Sequence, residues 1–193
     1  MIVLIDNGHG VETSGKRSPD GRLREYAWTR EVSQRIAIAL QREGVDARLL
    51  TPEVNDVPLG IRVRRVNSVC EDAGSTNVVV VSVHNNAAGA DGQWHTARGF
   101  AVYVSPNAGA SSRRLARIFG ALAKSRGMGG NRATPSSGYW EASLAICRDT
   151  RCAAVLTENL FQDNREDVEY LLSEEGKRAI VGLHVDAIKS YLG

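Results

Sequence analysis

Cysteine is scarce. Cys70, Cys147 and Cys152 are the only three in 193 residues, too few and too odd in number for a complete disulfide framework. They read as free, partly buried thiols, with Cys147 and Cys152 close enough in sequence to pair in an oxidising compartment. A dominant charge is missing too: 24 basic against 22 acidic side chains leave a net of +2, too little to draw nucleic acid or an anionic membrane by its overall field. Long apolar runs are absent. The N-terminal run Ile2–Ile5 stops at Asp6 and has no basic flank, so it reads neither as a signal peptide nor as a membrane span of about 20 residues. No Gly-x-Ser-x-Gly elbow occurs, which removes the usual signature of a serine hydrolase. Repeats, low-complexity tracts and linkers are also lacking.

What remains is the composition of one globular domain, 42% hydrophobic and 24% charged over residues 1–193. Ile2–Ile5 followed by Asp-Asn-Gly reads as a buried strand ended by a turn. Val32, Ile36, Ala39 and Leu40 recur at helical spacing between Glu25 and Glu43, and Gly44 stops that helix. Val45 to Leu50 reads as a strand. Pro58 opens a second helix with Leu59, Val63, Val66 and Cys70 inward and Arg62, Arg64 and Arg65 on a solvated face. Strands follow at Val78 to Val83, Gly99 to Val104 and Cys152 to Leu156. A helix over Ser111 to Lys124, a turn-rich stretch from Gly127 to Gly138 and two closing helices complete the pattern. Alternating strands and helices predict an α/β fold, a single domain with a twisted, mostly parallel central sheet flanked by helices on both faces.

In such sheets ligands gather beyond the carboxyl ends of the strands, where this reading puts His9, His84 and Glu158. Two histidines and a carboxylate are a common hydrolase set for zinc, leaving one position for water. Glu25 suits the carboxylate role because a helix N-terminus favours the ionised form. Glu12, in the same loop as His9, is its rival. His184 lies on the apolar face of the last helix and reads as core. Trp94, Tyr139, Trp140 and Phe161 are candidate cleft walls, and His95, beside Trp94, is a candidate substrate contact.

Several of these segments resemble one family. Asp6-Asn7-Gly8-His9-Gly10 resembles the Asp-Pro-Gly-His-Gly opening of zinc-dependent N-acetylmuramoyl-L-alanine amidases, and Leu23-Arg24-Glu25 resembles their second ligand segment. Ser82-Val83-His84-Asn85-Asn86 is similar to Ser-Ile-His-Ala-Asn, while Glu158, Phe161 and Asn164 match a Glu-x-Gly-Phe-x-Ser-Asn segment. The departures are Asn7 for proline, Leu160 for glycine and Asp163 for serine.

The resemblance implies one Zn2+ held by His9, Glu25 and His84, with Glu158 as general base and then acid; Asn86, Trp94 and His95 are candidate substrate contacts. It implies peptidoglycan as partner, a cell-wall site of action and a catalytic domain over residues 1–193, expected as a monomer. The N-terminus favours a phage-type lysin or a trimmed secreted domain. Some relatives carry a blocking helix after the second histidine; residues 85–98, rich in glycine and alanine, predict an open site instead. A zinc peptidase cutting within the stem peptide and a non-catalytic peptidoglycan binder are the alternatives. Gly10 to Lys16 also approaches a phosphate-binding loop, but Arg17 occupies the hydroxyl position and Pro19 opposes the helix that should follow.

Overall fold

A computed structural model describes residues 1–193. Six strands run in the order β2-β1-β3-β6-β4-β5, with β1 at Ile2–Asn7, β2 at Asp46–Leu49, β3 at Val78–Asn86, β4 at Ala101–Val104, β5 at Trp140–Glu141 and β6 at Ala153–Phe161. β2, β1, β3 and β6 are parallel neighbours, whereas β4 pairs antiparallel with β6 and β5 parallel with β4. The mostly parallel sheet is as expected, and β5 is an addition hidden in sequence by its two-residue length.

The helices are α1 at Glu25–Arg42, α2 at Leu59–Ala73, α3 at Ala110–Ser125, α4 at Ala145–Arg148, α5 at Arg165–Leu172 and α6 at Glu174–Leu192. Side chains alternate across the sheet with period two, so each face of β3 belongs to a different layer. Val79, Val81 and Val83 join Val32, Ile36 and Leu40 of α1, Phe119 of α3 and Ile180 and Leu183 of α6 in the larger core. Val78 and Val80 join Val66 and Cys70 of α2, Ile146 of α4 and Leu156 of β6 in the smaller one. Burying β3 on both faces is what its unbroken β-branched run encodes.

That alternation fixes the site. Asp6, Ser82, His84, Leu156 and Glu158 share parity with the residues facing α2 and α4, so the polar groups emerge beyond the smaller core at the C-terminal end of the sheet. Both functional strands run further than their apolar stretches suggest: His84 and Glu158 lie inside β3 and β6 and face each other in register. Beyond them the pairing slips between His84 and Asn86. Leu160 there takes the left-handed conformation, φ 62°.

Arg62 departs most from expectation. It is buried, not solvated, whereas Leu59, expected inward, is exposed. All three cysteines are free, so Cys147 and Cys152 are not paired, and the Cys152 thiol has the Cys70 thiol as its neighbour.

Candidate metal centre

His9 follows β1 in a tight turn and is itself left-handed, φ 61°, a conformation that costs a non-glycine residue on the order of 1 kcal/mol and persists only where the surroundings enforce it. The enforcement is visible. Gly8 N–H donates to the Val83 carbonyl at 3.0 Å, and Arg30 Nη1 donates to the His9 carbonyl at 2.8 Å. A Cβ on Gly8 would lie 2.5 Å from the His84 ring, and one on Gly10 would lie 1.9 Å from the Asp56 amide nitrogen. Glycine on either side of His9 is therefore a steric requirement of this cluster.

Glu25 opens α1 and points inward, fully buried. Its amide donates to the Lys16 carbonyl at 3.0 Å, pinning the loop between β1 and α1. Its Oε1 accepts the Asn85 N–H at 3.0 Å and lies 3.2 Å from His84 Nδ1 and 3.4 Å from His9 Nε2. The two imidazoles meet edge to face with centroids 5.0 Å apart.

These three side chains offer ligand atoms that all lie within 4.8 Å of one another. Tetrahedral zinc, with bonds of 2.0–2.1 Å to nitrogen and carboxylate oxygen, sets its ligand atoms about 3.3 Å apart. The Glu25 separations of 3.2 and 3.4 Å fit that spacing. Glu25 Oε2 is buried without any hydrogen-bond partner, a loss of solvation that a divalent cation would make good. Glu12 is elsewhere: its Oε1 accepts the Asp56 amide at 2.9 Å, so it shapes the loop and is no rival to Glu25.

Electrostatics divides the two carboxylates. Burial would raise Glu25, but the His84 and His9 imidazoles outweigh it and hold the carboxyl well below the ordinary range. Burial lowers His84 while Glu25 raises it, and the net is upward. Glu158 has no such partner. Burial pushes it up to about 7 against the opposing pull of His84, and its Oε2 makes no hydrogen bond. One carboxylate is kept ionised and the other is poised to take and release a proton near neutrality.

A cavity of about 560 Å3 opens on this cluster, with His9, His84 and Glu158 at one end and Val57, Leu144 and Ile146 along its apolar walls. A second, polar cleft of about 430 Å3 lies between the β1–α1 loop and the loop after β3. No helix forms between Asn86 and Ala101, so no blocking helix follows His84.

The substrate candidates are spread out. Asn86 Oδ1 accepts the Ala87 amide, and its Nδ2 is buried and unpartnered. Trp94 lies under the Arg165 guanidinium, and with His95 it lines a separate shallow depression. Tyr139 and Phe161 are buried rather than exposed as cleft walls. His184 is core, as expected.

The family description "N-acetylmuramoyl-L-alanine amidase" matches residues 3–190. The chain belongs to this family. Enzymes named for that amide hydrolysis are thus its class, as the sequence motifs implied. Among curated relatives, the endolysin of Bacillus phage SPP1 is 26% identical over 192 residues. That match covers 99% of this chain but only 66% of the relative, so the chain spans just under two thirds of that relative's length. An N-acetylmuramoyl-L-alanine amidase of Nostoc punctiforme superposes with a TM-score of 0.80 at 25% identity, covering 100% of this chain and 97% of that one. One from Mycobacterium smegmatis gives 0.85 at 20% identity, covering 100% and 97%, and speaks for the fold alone.

The braces behind these three side chains carry little signal in the sequence. Asn159 Nδ2 donates to the His84 carbonyl at 3.0 Å, and Asn85 Nδ2 to the Asn159 carbonyl at 2.9 Å, tying β3 to β6 beside the site. Asp163 Oδ2 accepts the amides of Ala88 and Gly89 at 2.7 and 3.0 Å and so shapes the loop after β3. The only signal for Arg62 was its place four residues before Val66 on the inward stripe of α2.

Proposed function

We propose that residues 1–193 form a catalytic domain that hydrolyses the amide bond between N-acetylmuramic acid and L-alanine of peptidoglycan, with Zn2+ held by His9, Glu25 and His84. The observation that carries this reading is the meeting of those three side chains from three distant segments, with Glu158 in register beside His84, in a chain of this family.

Bound there, zinc would supply Lewis acidity toward a water molecule and the scissile carbonyl oxygen. The chain's own residues do the rest. Glu25 and the two imidazoles would hold the cation with net positive charge, a field that would favour negative charge developing on the carbonyl oxygen. Glu158 accepts a proton from the attacking water and returns it to the L-alanine nitrogen, because an amine leaves poorly unless protonated. A carboxyl held near 7 can occupy either state at neutral pH. The cell wall is then the site of action, and no helix of the protein is long and apolar enough to cross a membrane.

The test combines metal analysis with mass spectrometry of digested peptidoglycan. Wild type should carry one zinc and release new amine termini on L-alanine, and chelation should abolish both. His84→Ala should lose zinc, whereas Glu158→Ala should keep zinc and lose turnover. Amine termini on a different residue would make the enzyme a peptidase, and activity surviving chelation would remove the metal from the reaction.

A further inference from the structure

Lys16 belongs to the segment resembling a phosphate-binding loop, and the reaction above gives it no task. Its backbone is fixed: the Lys16 carbonyl accepts the Glu25 amide at 3.0 Å, and Arg17 forms a bridge with Arg24. The side chain that leaves this anchored point borders both the large cavity beside His9, His84 and Glu158 and the neighbouring polar cleft. It is close enough to Glu158 to favour that carboxyl's ionised form, after burial, His84 and Glu25 have had their larger effects.

The other basic side chain lining the large cavity, Arg62, is committed to Asp6 at 2.8 Å and Asp56 at 3.0 Å. Lys16, half-buried, forms no ion pair and its ammonium makes no hydrogen bond. A partly desolvated ammonium without a counter-charge is a site for an anionic group of a ligand.

The two recesses differ in what they can accept. The polar cleft is lined by Ser14, Gln93, Gln162 and Asp163, whose hydroxyl, amide and carboxylate groups are the kind that suit sugar hydroxyl and acetamido partners. The large cavity has apolar walls at Val57, Leu144 and Ile146, suited to a peptide backbone with small side chains. A substrate laid with its glycan in the first and its peptide in the second passes Lys16 at the junction. The first anion along the peptide is the carboxyl group on the residue after L-alanine. At about 3.3–3.6 Å per extended residue it lies within about 7 Å of the cut bond.

We propose that Lys16 binds the free α-carboxylate of the γ-linked glutamate that follows L-alanine in the stem peptide, and so makes the enzyme prefer walls in which that group is not amidated. This deepens the amidase reading and rests on it. Lys16 is a substrate-binding residue and no proton donor in the reaction.

Two muramoyl peptides differing only in a free or amidated α-carboxyl at the second residue test it, with the zinc-loaded enzyme as wild type, Lys16→Gln and Lys16→Arg. Wild type should show a KM for the free carboxylate about tenfold below that for the amide, the worth of one charge-assisted hydrogen bond. Lys16→Gln should raise the first KM to the second with kcat unchanged, and Lys16→Arg should restore the preference. Equal losses on both substrates, or a fall in kcat alone, would make Lys16 a group acting on the chemistry and overturn the proposal. Cleavage of neither substrate by wild type would instead count against the amidase reading. Calorimetric binding of the two peptides to the Glu158→Ala protein would then decide the Lys16 preference by itself, equal affinities refuting it.

Discussion

Arg62 Nη1 lies 2.8 Å from Asp6 Oδ1, and the two side chains are 3% and 2% exposed, a buried ion pair directly beneath the turn that carries His9. The guanidinium also donates to the Asn7 carbonyl at 2.6 Å, the Val57 carbonyl at 2.7 Å and Asp56 at 3.0 Å, while Asp6 Oδ2 accepts the Ser82 hydroxyl at 2.6 Å. Arg62 and Asp6 together thus join β1, β3 and the start of α2. Arg62→Ala leaves the buried Asp6 carboxylate without its counter-charge and strips the Asn7 and Val57 carbonyls of the guanidinium, and removing one member of such a pair costs about 3–5 kcal/mol. Urea unfolding should register a loss of that size, and Arg62→Lys, lacking the planar fork, should recover only part of it. A loss below about 1 kcal/mol would show that the pair is not a structural tie.

Glu158 should titrate near pH 7 in the metal-free protein, because burial disfavours its charge. A divalent cation held by His9, Glu25 and His84 favours the carboxylate, so loading zinc must move that titration downward. Carbon NMR of the labelled carboxyl should record about 7 before loading and a lower value after. Since the base form is needed, kcat/KM should rise with pH along an acid limb below 7. An acid limb that persists in Glu158→Ala at reduced rate would assign it to a different group.

His9, Glu25 and His84 were legible as candidates because parallel strands end on one side of the sheet and their segments resemble the amidase motifs, and their ligand atoms do lie within 4.8 Å of one another. The parallel core was legible because a β-branched run such as Val78–Val81 suits a strand covered on both faces. Arg62 was not. Apolar periodicity treats every arginine as solvent-seeking, and nothing local reveals that Asp6, 56 residues away, supplies the counter-charge. The antiparallel β4 and the short β5 were hidden for a related reason, since pairing direction depends on where the chain returns rather than on which residues compose the strand. The extension of β3 and β6 through His84 and Glu158 is masked in the sequence because polar residues interrupt the apolar pattern without interrupting the hydrogen bonds.

Leu160, the departure from the Glu-x-Gly-Phe pattern that this segment resembles, has a left-handed backbone with φ 62°. Leu160→Gly would relieve strain of about 1–2 kcal/mol. The side chain is also 5% exposed and part of the larger core, and truncating a buried leucine costs about 2–5 kcal/mol before glycine's added chain entropy. Burial outweighs strain, so the variant should be less stable by about 1–3 kcal/mol in urea unfolding. A stabilised variant would mean that the strain is larger than the packing it permits.

His184 gives the fold an acid limit separate from the metal centre. Its Nδ1 lies 2.9 Å from the Ile180 carbonyl, which can only accept, so Nδ1 carries the proton and Nε2 accepts from the Thr157 hydroxyl at 3.0 Å. Burial pulls the imidazole down to about 4 from an ordinary 6.5. Above pH 6.5 it is neutral whether folded or not, and stability is unaffected. As pH falls from 6.5 toward 4, the unfolded chain takes up a proton that the folded one refuses, and stability is lost across that window. At about 1.4 kcal/mol per pH unit the loss is at most about 3.5 kcal/mol. Chemical unfolding at pH 7 and pH 4.5 should therefore show a larger decline for wild type than for His184→Gln, whose neutral amide cannot titrate. Equal declines in the two proteins would place the acid sensitivity in the carboxylate ion pairs instead.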